Sequence, residues 1–252
     1  MFTHAIVRKP GENFARGLTT AKDQLHSYPL IVRQHEAYVE TLRSAGLEVI
    51  VLDPLPDYPD AYYVEDAAVV TPDVAIITVP GAESRRGETD SIASVLAEFR
   101  SIEHMQLPGT LDGGDVLMVG THFIIGISER TNEKGAAQVG SILEHYGNTW
   151  SKVPVRSGLH LKSSVNLVGR NTLLMTKEFS GHGKFAPYDK IVVDEKEKSA
   201  CNTLWVNNTL IVPKGFPAVR KKLEPIGLNV QELDIGEASK MDGGLTCMSL
   251  RF

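Results

Sequence analysis

At 252 residues, with 42% hydrophobic and 23% charged side chains, the chain has ordinary globular usage and enough apolar residues for a sizeable core. Its net charge of −5 lacks the basic excess expected of a nucleic-acid binder and mildly favours a cationic ligand. The start, Met1-Phe2-Thr3-His4, has no basic stretch followed by a long apolar run, and all apolar runs are short, so neither a signal peptide nor a membrane span is expected.

In chain order, residues 3–7 read as a strand. Residues 31–45 read as a long helix stopping at Gly46, and residues 47–52 as another strand. Four hairpins follow, each with two apolar runs around a tight polar turn. They cover 67–79, turning at Thr71-Pro72-Asp73, and 115–127, turning at Gly120-Thr121-His122. The others cover 164–176, turning at Gly169-Arg170-Asn171, and 203–212, turning at Asn207-Asn208. Helical spacing sits between them, at Ile92, Val95, Leu96 and Phe99, and at Ala136, Val139, Ile142, Leu143 and Tyr146 before Gly147. A further helix is expected over 217–226, with Pro217 early and Gly227 after it. Residues 245–250 read as a last strand.

The hairpin turns recur at steps of about 48, 49 and 38 residues, a spacing typical of repeat architectures. The two termini supply a fifth unit. Closing five strand–helix units into a ring removes exposed sheet edges. The expected fold is therefore an α/β propeller with five-fold pseudosymmetry, in one catalytic domain spanning 1–252.

Unusual polar residues precede or enter the first strand of each hairpin. They are Glu65-Asp66, Asp112-Gly-Gly-Asp115, His160-Leu-Lys162, Cys201-Asn202 and Asp242-Gly-Gly-Leu-Thr-Cys247. Singly, each has a plain reading. A cysteine in an apolar strand is usually a small buried hydrophobe. Asp-Gly-Gly is usually a turn, because glycine supplies positive φ. His160 between leucines reads as a core histidine, and Arg85-Arg86 as surface. Jointly, their common phase in the repeat brings them to one central pocket.

Such a pocket suits cysteine chemistry. The thiol of Cys247 is the nucleophile, the imidazole of His160 moves protons, and a carboxylate, Asp112, orients the imidazole. Glu65 and Asp66 suit a planar guanidinium, and Arg85 and Arg130 suit the carboxylate of an amino acid. No His-x-x-x-His or Cys-x-x-Cys spacing is present, so neither metal nor cofactor is expected. With only Cys201 and Cys247, a free thiol in the cytoplasm is expected rather than a disulfide.

The segments Asp60-Ala-Tyr-Tyr-Val-Glu65-Asp66, Pro80-Gly-Ala-Glu-Ser-Arg85-Arg-Gly-Glu88, Thr110-Leu-Asp112-Gly-Gly-Asp115, Ser128-Glu-Arg130-Thr-Asn132, His160-Leu-Lys162 and Asp242-Gly-Gly-Leu-Thr-Cys247-Met-Ser249 resemble the dimethylarginine dimethylaminohydrolase family. They lie in that family's order and nearly span the chain. The resemblance implies the pentein fold and hydrolysis of Nω-methylated arginine to citrulline through a covalent Cys247 thiouronium. It implies that Asp66, supported by Glu65, holds the guanidinium, and that Asp60 and the Leu18 carbonyl hold the α-amino group. Arg85 and Arg130 take the α-carboxylate, and Met241 offers a main-chain carbonyl. Arginine deiminase is the nearest rival. Its His-Leu-Asp motif has become His160-Leu-Lys162 here, removing a carboxylate that dimethylated nitrogen could not satisfy. A non-catalytic pentein-fold binding protein is the rival from another class. The partner implied is a small molecule, not nucleic acid or membrane, with a homodimer left open.

Overall fold

The computed structural model describes residues 1–21 and 25–252. The first repeat unit is assembled from both ends of the chain. β1 (His4–Arg8) leads to α1 (Tyr28–Ser44), which returns the chain to β2 (Glu48–Leu52), parallel to β1 with Ile6 opposite Ile50. Pro29 sits in the first turn of α1 and Gly46, at φ +91°, lies just past its end, the expected start and stop chemistry. Ile31, Tyr38, Val39 and Leu42 form its buried stripe.

The second unit is β3 (Ala68–Val70), β4 (Val74–Ile77), α2 (Thr89–Leu96) and β5 (Ser101–His104). The third is β6 (Val116–Val119), β7 (His122–Ile127), α3 (Glu133–His145) and β8 (Thr149–Pro154). The fourth is β9 (Val165–Gly169), β10 (Thr172–Thr176), the short α4 (Lys177–Ser180) and β11 (Asp189–Val193). The fifth is β12 (Leu204–Val206), β13 (Thr209–Pro213), α5 (Pro217–Leu223) and β14 (Asn229–Leu233). After α6 (Gly236–Ser239), β15 (Leu250–Arg251) pairs antiparallel with β1 and closes the ring.

Among the described residues five three-stranded sheets result, each an antiparallel pair plus a third strand running parallel to the middle one; four of the pairs are hairpins and the fifth joins β1 to β15. The hairpins fall where their turns predict, with Gly120 at φ +62° and Asn207 at φ +52°. The parallel third strand is an addition to the hairpin–helix reading. A correction concerns 245–250, expected to be a strand. Only Leu250–Arg251 pairs, and the preceding residues turn, held by other bonds. The Tyr38 hydroxyl donates to the Leu245 carbonyl at 2.7 Å, and the Thr246 amide donates to Asn202 Oδ1 at 2.9 Å.

Apolar clusters pack sheet against helix and unit against unit. Leu204, Val206 and Ile211 of the fifth unit meet Ala5 and Val7 of the first, while Ile6 and Leu250 meet Ala75 and Ile77 of the second. Among the described residues, no helix is long and apolar enough to cross a membrane.

Candidate active site

The chemistry-bearing residues occupy short 3₁₀ turns or loops that lead into the first hairpin strands. These turns are Val64–Ala67, Gly113–Asp115 and Leu161–Ser163, with Cys247 in the turn before β15. A 3₁₀ turn is short and tight, so it aims one or two side chains inward before the chain becomes a strand. Leu18, Asp60, Asp66, Arg85, Asp112, Arg130, His160, Met241 and Cys247 all line one small cavity of about 170 Å³, with Tyr63 and Asp242 beside them. Of the ten expected site residues, only Glu65 is missing from this wall.

The glycines of Asp112-Gly-Gly-Asp115 are not there for positive φ; neither adopts it. They permit close approach. A Cβ on Gly114 would lie 2.6 Å from His160 Nδ1, and one on Gly113 would lie 2.0 Å from the Glu65 carbonyl oxygen. The Gly114 amide, left uncovered, donates to Asp66 Oδ1 at 2.9 Å.

His160 Nε2 lies 3.0 Å from Asp112 Oδ2, with both residues buried. The Asp112 carboxylate therefore reaches the imidazole directly. Its other oxygen accepts from the Gly81 amide at 2.8 Å. Burial opposes charge on His160, but Asp66, Asp112 and Asp115 overcome it and hold the imidazolium up to about 9. Asp112 responds oppositely. Burial works to raise its carboxyl, and the hydrogen bond and charge of His160 bring it below its ordinary value. Burial also pushes the Cys247 thiol up to about 12, with Glu65 and Asp66 adding to the rise. At neutral pH the pair thus rests as thiol and imidazolium. Oxygens of Asp66 and Asp112 and a nitrogen of His160 lie within 4.8 Å of one another, close enough to share a cation. Arg85 and the imidazolium already place positive charge there.

Arg85 and Arg130 differ. Arg85 is buried, with Nη1 donating to Asp66 Oδ2 at 2.6 Å, Nη2 to Glu88 Oε2 at 2.8 Å, and Nη2 also to the Asp60 and Tyr63 carbonyls. Its guanidinium is largely spoken for. Among the described residues, the Arg130 guanidinium has no hydrogen bond or ion pair, leaving it open on the pocket wall. Asp60 receives the Leu18 amide on both oxygens at 3.1 Å. Asp242, at φ +59°, accepts from the Thr20 amide at 2.5 Å, clasping the Leu18 segment to the C-terminal motif.

Glu65 departs from its expected place. Oε1 takes Lys162 Nζ at 2.6 Å and Arg251 Nη2 at 3.1 Å, and Oε2 takes the Thr246 hydroxyl at 2.7 Å. Its carboxylate is fully engaged behind the pocket, so it supports Asp66 only through the backbone. Lys162 shares that position and does not border the pocket.

Residues missed in the sequence hold this frame. Asp115 accepts from the Leu161 amide at 2.8 Å and from the hydroxyls of Ser128 at 2.6 Å and Thr131 at 2.7 Å, tying the His160 and Arg130 loops together. Its signal was the Asp-Gly-Gly-Asp spacing. Tyr63 donates to the Ala238 carbonyl at 2.8 Å against Gly243, and nothing local in the sequence marked it.

A ring of five hairpin–helix–strand units with a thiol, an imidazole and carboxylates drawn from different units onto one pocket wall defines a pentein of the guanidino-group-modifying class. Comparison narrows the class. The family model described as "N,N dimethylarginine dimethylhydrolase, eukaryotic" matches residues 9–184. The N(G),N(G)-dimethylarginine dimethylaminohydrolase of Pseudomonas aeruginosa is 41% identical, with 100% of both chains covered. The protein of that name from Streptomyces coelicolor is 37% identical, covering 98% of this chain and 96% of its own. The chain belongs to the dimethylarginine dimethylaminohydrolase family. A cysteine-to-serine variant of the P. aeruginosa enzyme, solved with citrulline, superposes at a TM-score of 0.98 with 40% identity and full coverage of both chains. The N-terminal domain of a cyanobacterial arginine dihydrolase shares the fold at a TM-score of 0.90 and 17% identity, covering 100% of this chain and 97% of its own.

Proposed function

We propose that the protein hydrolyses asymmetric dimethylarginine and monomethylarginine to citrulline and the corresponding amine. The observation that carries this reading is the pairing, on one small wall, of Cys247 and His160 with Asp66 as the guanidinium-facing carboxylate and Arg130 as an open cation. Asp66 spends one oxygen on Gly114 and one on Arg85, and each keeps a further lone pair for a guanidinium N–H. Arg130 takes the α-carboxylate. Arg85 lies beside it, and its larger task is to hold Asp66. Asp60, the Leu18 carbonyl and the Met241 carbonyl complete the amino-acid end.

The chemistry follows from the resting charges. Burial, with Glu65 and Asp66 adding to it, keeps the Cys247 thiol protonated; a guanidinium entering beside Asp66 brings positive charge next to the sulfur, so the thiol loses its proton to solvent as substrate binds. The thiolate adds to the guanidinium carbon. His160, already an imidazolium, gives its proton to the methylated nitrogen, the C–N bond breaks, and the amine leaves. A thiouronium on Cys247 remains. His160, now neutral, takes a proton from water, hydroxide adds to the same carbon, and the C–S bond breaks as the new hydroxyl gives its proton to solvent, releasing citrulline and thiolate. Asp112 holds the imidazole in place through both halves.

The two free cysteines suit a reducing compartment, and the cytoplasm is the proposed location. The test is to incubate the purified chain with asymmetric dimethylarginine and quantify citrulline and dimethylamine. In parallel, the His160→Gly variant is treated with an activated thiouronium-forming analogue and its intact mass recorded. One-to-one product formation, and one adduct mapping to Cys247, are expected. Citrulline-free binding, or an adduct elsewhere, overturns the reading.

A further inference from the structure

A cavity larger than the active-site pocket lies apart from the chemistry. A second chamber of about 680 Å³ lies in the ring, within the size range of small-molecule sites. It shares one wall with the active site, and the sharing is visible residue by residue. Asp66 faces the active site while Glu65 faces the second chamber, and Asp112 and Gly113 divide in the same way. So do His160 and Lys162, and Cys247 and Thr246.

The chamber has a built interior. Its floor is the Lys162–Glu65–Arg251 cluster, in which Glu65 is buried and the two cations are partly exposed. Its sides are apolar, among them Val69, Leu117, Phe123, Leu204 and Leu250, and its rim carries the exposed hairpin-turn residues Gly120, Arg170 and Asn208. Its lining holds three cationic side chains, Lys162, Arg170 and Arg251, against the single carboxylate of Glu65. Among the described residues, one of the three Lys162 N–H donors is engaged, with Glu65. An apolar shaft ending on excess positive charge is complementary to a molecule with an apolar body and one anionic group.

We infer that this second chamber is a binding site for a small carboxylate with an apolar body, separate from the substrate pocket. The carboxylate meets Lys162 and Arg251 at the floor and the body fills the shaft. The site is independent of the substrate assignment, because none of its side chains lines the active-site pocket.

The test uses the full chain and two probes. The fluorescence of 1-anilinonaphthalene-8-sulfonate is titrated against folded protein, and displacement is measured with decanoate and with decanol. One saturable equivalent per chain is expected, unaffected by saturating citrulline and displaced by decanoate at a concentration at least about tenfold lower than decanol. Arg170→Glu, at the exposed rim, and Leu167→Trp, which fills the shaft, should each weaken probe binding at least about tenfold, a change of about 1.4 kcal/mol. Both should leave citrulline formation and the melting temperature close to the parent's. Absence of saturable binding, displacement by citrulline, equal competition by decanol, or parental binding in both variants would each overturn the inference. Loss of methylarginine turnover in the parent would overturn the functional reading instead, leaving this one standing.

Discussion

Replacing Asp112 with Asn should separate charge stabilisation of His160 from simple placement of its ring. In the parent, the imidazole is buried and lies 3.0 Å from the carboxylate. Its pKa stands at about 9 against an ordinary 6.5, a preference of about 3 kcal/mol for the imidazolium at ~1.4 kcal/mol per pH unit. Asparagine keeps Oδ1 for the Gly81 amide, so the backbone stays anchored. It turns an N–H toward Nε2, where the imidazolium also carries an N–H. A hydrogen bond to a charged group is worth about 1.5–3 kcal/mol, so the imidazolium should lose roughly 1–2 pH units of stability. His160 should then titrate between roughly 7 and 8. The sign follows from linkage. A raised histidine pKa contributes stability fully present below about 6.5 and lost as pH rises through about 9, so Asp112→Asn should destabilise the fold at pH 7 and have no such effect well above 9. The assay is ring-carbon NMR of labelled histidine in a Cys247→Ser background, with and without Asp112→Asn. A titration within about half a pH unit of the parent's would refute the reasoning and leave Asp112 a purely orienting group.

Other consequences are direct. Cys247→Ser should abolish turnover with the fold intact. Cys201→Ser should keep most activity, because Cys201 is packed in an apolar cluster away from the pocket and its one polar contact, the Ser164 carbonyl at 3.4 Å, can be kept by a hydroxyl. Arg130→Ala should raise KM for amino-acid substrates and spare a simple alkylguanidine. Arg85→Ala should also lower the melting temperature, because unpairing buried Asp66 and Glu88 costs about 3–5 kcal/mol. Asp115→Asn orphans the Ser128 or Thr131 hydroxyl, so roughly 1–3 kcal/mol of stability should be lost together with turnover. Saturation with a slowly processed guanidine should lower the Cys247 pKa from about 12, read as thiolate absorbance near 240 nm.

The hairpins were legible because their turns carry local chemistry, Gly120 and Asn207 above all. Of the third strands, only β2 was, expected as residues 47–52. Segments such as Ser101–His104 and Asn229–Leu233 are half-exposed and pair in parallel with strands a helix away, so no turn residue announces them. Asp66, Asp112, His160 and Cys247 could be read from their phase in the repeat and meet at one pocket, but Cys201 and Asn202, in the same phase, do not reach it, and Leu18, Asp60 and Met241 were legible only through the family resemblance. Glu65 could not be told from Asp66, because successive residues in a tight turn face opposite ways and its partner Lys162 lies 97 residues on. The Arg85–Asp66 pair was hidden for the same reason, since the sequence gives two complementary charges and no distance.

The central claim is best tested by kcat/KM for citrulline formation from arginine, monomethylarginine, asymmetric dimethylarginine and symmetric dimethylarginine in one buffer. With Glu65 neutralised by Lys162 and Arg251, Asp66 is left to hold the unmodified side of the guanidinium. The monomethyl and asymmetric dimethyl compounds should therefore be turned over far better than arginine. The symmetric compound should be poor, because methyls on both terminal nitrogens crowd Asp66. Arginine equal to or better than the asymmetric compound would contradict the account and put a deiminase in its place.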